Sequence, residues 1–226
     1  MSLSDLFARR RKDEHDTVDG PVQPTMALDR FLAGLAGRSQ PVLLDLGPVV
    51  GSNVTFFGEQ VGCKLIVEDL SKDIDRHASQ GKLEELPLFF DTRFPQESET
   101  IDGILCWDVF DYLDRPAAER LSRQLKRVLR ANGVLLAFFS TTDPRSTVHP
   151  TYTKHVVVDR GHLQYRPYAA ARAKQRPLLN RDIQRLFEPL RITENFLLKT
   201  NLREVLFRKP AADKAAPENK VGSEVI

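Results

Sequence analysis

The segment Asp45-Leu46-Gly47-Pro48-Val49-Val50-Gly51-Ser52-Asn53 sets a carboxylate and two glycines directly after a short apolar run. A glycine turn at the end of a buried strand lets a ligand approach the backbone closely. In open α/β sheets, ligands lie beyond the carboxyl ends of the strands, near the point where strand order reverses. About 20 residues later, Glu68-Asp69 closes a second apolar run, where a carboxylate can accept hydrogen bonds from both hydroxyls of a ribose. Asp91 ends a third run, within reach of an exocyclic amine. Trp107-Asp108 ends a fourth and can close a pocket with an aromatic face. A phosphate-binding loop would need a lysine after the last glycine, but Ser52-Asn53 follows Gly51. A dinucleotide loop starting at Gly47 would need glycines where Val49 and Ser52 stand. A lone glycine turn is common without any ligand, so the four strand ends together carry the reading.

These groups need elements to place them. Met26, Leu28, Phe31, Leu32 and Leu35 fall at helical spacing. Pro41–Gly47 reads as a buried strand, Ser52–Gln60 as a short helix capped by Ser52 or Asn53, and Lys64–Val67 as a second strand. Ser71–Ser79 reads as a polar helix, Leu86–Phe90 as a third strand and Ile101–Trp107 as a fourth. Asp114 and Pro116 open a helix whose stripe is Ala118, Leu121, Leu125, Val128 and Leu129, with Asn132-Gly133 as its stop. Val134–Phe139 follows as an all-apolar strand, Asn180 caps another helix, and Ile192–Leu198 with Leu202–Phe207 forms an antiparallel hairpin. Strands apolar on both faces imply a parallel sheet covered by helices on either side.

The chain has 226 residues, 41% apolar and 28% charged, an ordinary globular composition with room for a sizeable core. With 33 Lys and Arg against 31 Asp and Glu, the net charge of +2 argues against a dedicated nucleic-acid or membrane-surface partner. The longest apolar run, Val134–Phe139, is far below the roughly 20 residues of a membrane span. Cys63 and Cys106 lie apart in apolar runs, which fits free thiols in a reducing cytoplasm and excludes a zinc cluster. Residues 1–24, with the basic run Arg9–Lys12, read as a poorly ordered arm and residues 210–226 as a disordered tail, leaving one domain over 25–209.

Taken in order, these segments resemble the class I S-adenosylmethionine-dependent methyltransferases, from about Met26 to Lys209. Val42–Gly51 looks like that family's first motif and Asp69-Leu-Ser71 like its second-strand ending. Asp91 falls at its adenine-contacting acid, Ile101–Leu113 looks like its fourth-strand motif, and Leu125–Leu136 is similar to its passage into the fifth strand. The resemblance implies an α/β fold: a Rossmann-like doubly wound sheet of seven strands, mostly parallel with an antiparallel C-terminal hairpin. It implies S-adenosylmethionine as cofactor. Asp45, Gly47 and Gly51 would shape the loop at its methionine end. Asp69, with Glu68 as the competing choice, would hold the ribose, Asp91 would meet the adenine, and Trp107 would lie at the mouth. One departure stands out. Val49, after Pro48, replaces the family's middle glycine and adds a β-branched side chain where the backbone usually lies bare against the ligand.

Residues 144–177 lie where this family often inserts substrate-binding structure. They hold His149, His155 and His162, Tyr152, Tyr165 and Tyr168, and seven Lys or Arg against the single acid Asp159. Lys154–Val158 and His162–Arg166 read as a hairpin around Asp159-Arg160-Gly161. An aromatic, positive lid would suit a small anionic or aromatic substrate. A solvated hairpin covering the sheet edge is the plain alternative, and no catalytic base is singled out. Asp108, Asp111 and Asp114 match no metal loop, and Asp114 has a capping role. The expected function is methyl transfer to a small molecule. The alternatives are a non-catalytic domain of the same fold serving as a binding module, and an RNA-binding or RNA-modifying protein using the basic hairpin.

Overall fold

The computed structural model describes residues 20–142 and 150–211. The basic run Arg9–Lys12, Arg145, His149 and the tail from residue 212 lie outside the described residues.

Among these, β2 (Val42–Asp45), β3 (Lys64–Val67), β4 (Ile101–Trp107), β5 (Leu129–Ser140), β8 (Arg191–Leu197) and β9 (Leu202–Arg208) form one sheet in the order β3-β2-β4-β5-β9-β8. The first four are parallel; β9 runs antiparallel to β5 and β8 antiparallel to β9. A second sheet of β1 (Val22–Pro24), β6 (Thr151–Asp159) and β7 (His162–Ala169) is antiparallel throughout, in the order β1-β7-β6. The helices are α1 (Leu28–Leu35), α2 (Gly51–Thr55), α3 (Leu70–Ser79), α4 (Leu86–Thr92), α5 (Arg115–Val128) and α6 (Asn180–Phe187).

The central strands are apolar on both faces because each face has its own core. Ile104 and Cys106 of β4, with Leu135, Ala137 and Phe139 of β5, pack with Ile74 of α3, Phe90 of α4, Leu121 of α5 and Phe187 of α6. The alternate residues Leu105 and Trp107, with Val134, Leu136 and Phe138, pack with Leu28, Phe31 and Leu35 of α1 and with Val157 and Leu163 of the hairpin. α1 comes so close to the sheet that a Cβ on Gly103 would lie 2.9 Å from a Leu35 methyl.

The start and stripe of helix α5 are built as its sequence suggests, but the helix ends at Val128, and Asn132-Gly133, expected as its stop, lie inside β5. The Asp114 side chain accepts from the Ala117 amide at 3.0 Å, Pro116 sits in the first turn, and Ala118, Leu121, Leu125 and Val128 are buried. Four more expectations change. The sheet has six strands, with three more in a separate sheet, rather than seven in one. The run Leu86–Phe90 is helix α4, not a strand. Its buried residues are Leu86 and Phe90, four apart, while Leu88 between them is 70% exposed. A strand would set all three on one face. Residues Val22–Pro24, expected in the loose arm, instead pair with β7 along the hairpin edge. Finally, two N-caps differ: neither Ser52 nor Asn53 caps α2, whose N-cap is Val50, and Asn180 is the first residue of α6, whose N-cap is Leu179. Asn53 is buried and reaches across to β6. Its amide nitrogen donates to the His155 carbonyl and its oxygen accepts from the Val157 amide, both at 2.8 Å. The hairpin is thereby tied to the loop that follows β2.

Candidate functional site

β2 ends at Asp45, where the chain turns through Leu46 and Gly47. Asp45 Oδ1 accepts from the Gly47 amide at 2.9 Å and from the Trp107 indole N–H at 2.6 Å. Burial pushes the Asp45 carboxyl up to about 6. The two hydrogen bonds oppose that push and the charge of Asp69 adds to it. Trp107 ends β4 after a break in register with β5, and its φ of 47° lies in the left-handed region. That backbone is strained for a bulky residue, and strain of this kind concentrates at functional sites. A Cβ on Gly47 would come within 2.7 Å of the Trp107 ring, so glycine is required there to seat the indole. The His155 ring lies parallel to the indole at 5.0 Å between centroids, and Phe138 meets it edge-on at 5.6 Å.

Val49 points away from this arrangement. It is 61% exposed and is not among the residues with positive φ, so the loop takes a path that needs no glycine at that position. Gly51 opens α2, with nothing within 4 Å of where a Cβ would stand.

Between the strand tips and the hairpin lies a hollow of about 20 Å³, lined in part by Gly47, Ser71, Trp107, Asp108, Tyr152 and Tyr168. That is room for about one water. Tyr112 packs on Tyr152 at 4.7 Å and Tyr152 on Tyr168 at 5.5 Å. The Tyr168 hydroxyl donates to Ser71 Oγ at 2.7 Å, and Ser71 in turn donates to Asp69 Oδ1.

Asp45, Gly47 and Trp107 therefore meet, and Asp69 joins them through Ser71. Asp69 is also the N-cap of α3, accepting from the Lys72 amide at 3.3 Å. Its Oδ2 is out of solvent without a hydrogen-bond partner, although the Lys72 ammonium lies 3.1 Å away. Glu68 is taken by Arg93 at 2.5 Å and Gln96 at 3.0 Å, and Arg93 also holds Asp73 at 2.7 Å. Asp91 sits in α4, pairs with Arg120 of α5 at 3.0 Å, and does not line the hollow.

Sequence reasoning missed a second cluster beside these residues. The Lys174 ammonium, on the irregular strap between β7 and α6, lies 2.9 Å from both Asp108 Oδ2 and Asp111 Oδ2. Asp111 also accepts from the Ser140 amide at 3.0 Å. His155 Nδ1 is buried without a hydrogen-bond partner, 4.0 Å from Asp108 Oδ1. Burial drives the His155 ring down to about 4, so it is neutral near pH 7. Burial pushes Asp111 up to about 6 against the pull of Lys174. At Asp108 burial acts in the same direction, but Lys174 and His155 outweigh it and hold the carboxyl below its ordinary value. The acids at 108 and 111 are legible in the sequence; their partner, more than 60 residues away, carries no local signal. Three of the basic residues expected to give the lid a positive field have partners. Lys174 is neutralised, Arg160 pairs with Asp29, and Lys154 lies over the Tyr168 ring.

The S-adenosylmethionine that the sequence resemblance implies meets suitable groups here. Asp69 Oδ2, met only by the exposed Lys72 ammonium, would take a hydroxyl donor, and the carboxylates of Asp45, Asp108 and Asp111 would offset the charge of a cationic sulfonium. Its volume requires the tyrosines over the hollow to swing aside.

A family model described as a methyltransferase domain matches residues 44–137. Sarcosine/dimethylglycine N-methyltransferase from Halorhodospira halochloris is 29% identical over 130 residues, covering 54% of this chain and 44% of that enzyme. The chain thus spans less than half the length of that relative. Among solved structures, the PH0226 protein from Pyrococcus horikoshii OT3 is similar at 15% identity with a TM-score of 0.48, over 81% of this chain and 88% of that one. A 1,6-didemethyltoxoflavin-N1-methyltransferase from Burkholderia thailandensis, with its substrate and S-adenosylhomocysteine bound, is similar at 15% identity and a TM-score of 0.45, over 92% and 86% of the two chains.

Proposed function

We propose that this chain, whose residues 44–137 match a methyltransferase-domain model, belongs to the class I S-adenosylmethionine-dependent methyltransferases and transfers a methyl group from S-adenosylmethionine to a small-molecule acceptor. When bound, the cofactor supplies an activated methyl on a cationic sulfonium. Asp69 holds the ribose through Oδ2, the oxygen its capping role leaves over. Asp45, Gly47 and Gly51 shape the loop at the methionine end, with Trp107 as the wall against which that end packs. Asp45, Asp108 and Asp111 set a negative field around the sulfonium. The aromatic walls Trp107, Tyr112 and Tyr152 exclude water from the bound pair. Glu68, committed to Arg93 and Gln96, is the weaker choice for the ribose, and Asp91 reaches the adenine only if its pair with Arg120 breaks. With Lys174 committed to Asp108 and Asp111 beside the hollow, the acceptor is better matched by the aromatic walls than by anion attraction. Both cysteines are free and buried, which fits a reducing compartment, and we place the protein in the cytoplasm.

The observation that carries this reading is the Asp69 carboxylate just past the tip of β3, whose Oδ2 is out of solvent and met only by the exposed Lys72 ammonium at 3.1 Å. A carboxylate oxygen that meets only one exposed ammonium keeps acceptor capacity for a ribose hydroxyl. Calorimetry with S-adenosylmethionine and S-adenosylhomocysteine tests it. Binding is expected, with Asp69→Ala weaker by about 1–3 kcal/mol. A second reading, a non-catalytic domain of the same fold that binds a partner, is favoured by the size of the hollow, about 20 Å³. No heat with either ligand at millimolar concentration overturns methyl transfer and leaves the second reading standing.

A further inference from the structure

We propose that Asp108 and Asp111 form a subsite for a small alkylammonium cation, which the Lys174 side chain fills from within the chain when no ligand is present. Under the methyl-transfer reading this cation is a charged group of the acceptor other than the reacting atom, which needs a free electron pair; the subsite itself does not rest on that reading.

The balance of charge is the first ground. Two carboxylates with side chains 8% and 4% exposed face one ammonium, and the neighbouring His155 is uncharged near pH 7. The cluster therefore retains negative charge beside a hollow whose walls include Trp107, Tyr112, Tyr152 and Tyr168. Aromatic faces attract cations, and the Lys174 ammonium already lies 5.4 Å from the centre of the Tyr112 ring.

The second ground is independent of the acids. His155 Nδ1 is buried, has no hydrogen-bond partner, and sits 4.0 Å from Asp108 Oδ1. In the tautomer that leaves Nδ1 without its proton, that nitrogen needs a donor. An alkylammonium bearing an N–H and seated on Asp108 supplies one, whereas Lys174 spends its contacts on the two carboxylates.

The third ground is that Lys174 can leave. Its side chain is 26% exposed and springs from a strap without regular structure. The strap backbone is fixed on both sides of it: the Ala171 amide donates to Asp75 Oδ1 and the Gln175 amide to the Asp111 carbonyl, each at 2.6 Å. Rotation of a flexible stem frees the site with no movement of the fold.

The experiment uses the full unmodified chain with ¹³C-labelled lysine. The Lys174 Cε signal is assigned through Lys174→Arg, and trimethylammonium chloride is titrated against tert-butanol and sodium chloride at matched concentration. A saturable shift of that signal toward the position of exposed lysines, with trimethylammonium alone, supports the proposal. No shift up to 100 mM (a concentration of about that order exceeds any useful affinity for so small a ligand), or an equal shift with tert-butanol or sodium chloride, overturns it. In Lys174→Met the internal competitor is gone, and trimethylammonium is expected to bind about tenfold more tightly than to the parent. Unchanged affinity in a folded variant overturns the stand-in role. The titration needs no S-adenosylmethionine, so failure here leaves the calorimetric result untouched. A chain that binds trimethylammonium but no cofactor keeps the subsite and loses only its role in methyl transfer.

Discussion

Asp45 carries the clearest consequence at the scale of one residue. Its native carboxyl stands at about 6 because burial outweighs the Gly47 and Trp107 hydrogen bonds. In the unfolded chain it returns to about 3.9. Between those two values the native state holds more protons than the unfolded state, so this residue makes stability fall as pH rises through the window. Above pH 6 the ionised form opposes folding by about 2–3 kcal/mol. Asp45→Asn keeps an oxygen for both donors and cannot ionise. Its stability relative to the parent should therefore improve by about 2 kcal/mol between pH 4.5 and 7.5. Urea unfolding at the two pH values checks this, and a constant difference would mean that Asp45 titrates as an ordinary acid. Asp111, raised in the same way, is present in both proteins and cancels.

Trp107 shows what one residue type does and does not disclose. The sequence places an indole at the end of a strand next to a glycine loop. It does not disclose that the indole donates to Asp45, or that the strand must enter the left-handed region to aim it. Both depend on how β4 sits beside β2, which no local window contains. The same holds for Val49. Its β-branched side chain conflicts with a bare loop, yet the loop turns it to solvent.

At the scale of elements, the readable ones are those whose sequence pattern and packing agree. Helix α5 has a cap, a first-turn proline and a continuous stripe, and β4 is buried along its whole length because it is central. The run Leu86–Phe90 is too short to separate helix from strand by its apolar content. Its identity as helix α4 leaves the sheet one parallel strand short of the expected seven and turns Asp91 toward Arg120. Asp91→Ala should consequently cost no more than about 1 kcal/mol of stability, the scale of a partly exposed ion pair. It should leave S-adenosylhomocysteine affinity unchanged by calorimetry. A tenfold loss would restore Asp91 to the adenine.

The tie between Asn53 and β6 is also a property of elements, because it is the point at which the hairpin is fixed to the loop after β2. Asn53→Ala leaves the Val157 amide and the His155 carbonyl without their side-chain partner. Two buried groups in that state cost about 2–4 kcal/mol. Hydrogen exchange at the Val157 amide should accelerate more than that of Leu44 or Leu105 in the sheet. Equal acceleration everywhere would show that Asn53 supports the whole domain rather than the hairpin.

For the whole molecule, the two sheets meet over a space of about 20 Å³, and the ligand proposed for it is far larger. Binding then draws on a conformation in which the tyrosines stand aside, and the apparent affinity is reduced by the fraction of molecules in that state. This gives Tyr168 an unusual expectation. Its hydroxyl holds Ser71 and its ring packs on Tyr152, so both contacts favour the closed packing. Tyr168→Ala should destabilise the fold, by a few kcal/mol for a large side chain lost from a packed site. It should also bind S-adenosylhomocysteine more tightly than the parent, since the open state is more populated. A residue that mainly contacts the ligand would do the opposite and weaken binding. Thermal unfolding and calorimetry on the same sample separate the two. Lower stability with tighter binding fits a domain that opens to receive its cofactor, and lower stability with weaker binding would make Tyr168 part of the binding surface instead.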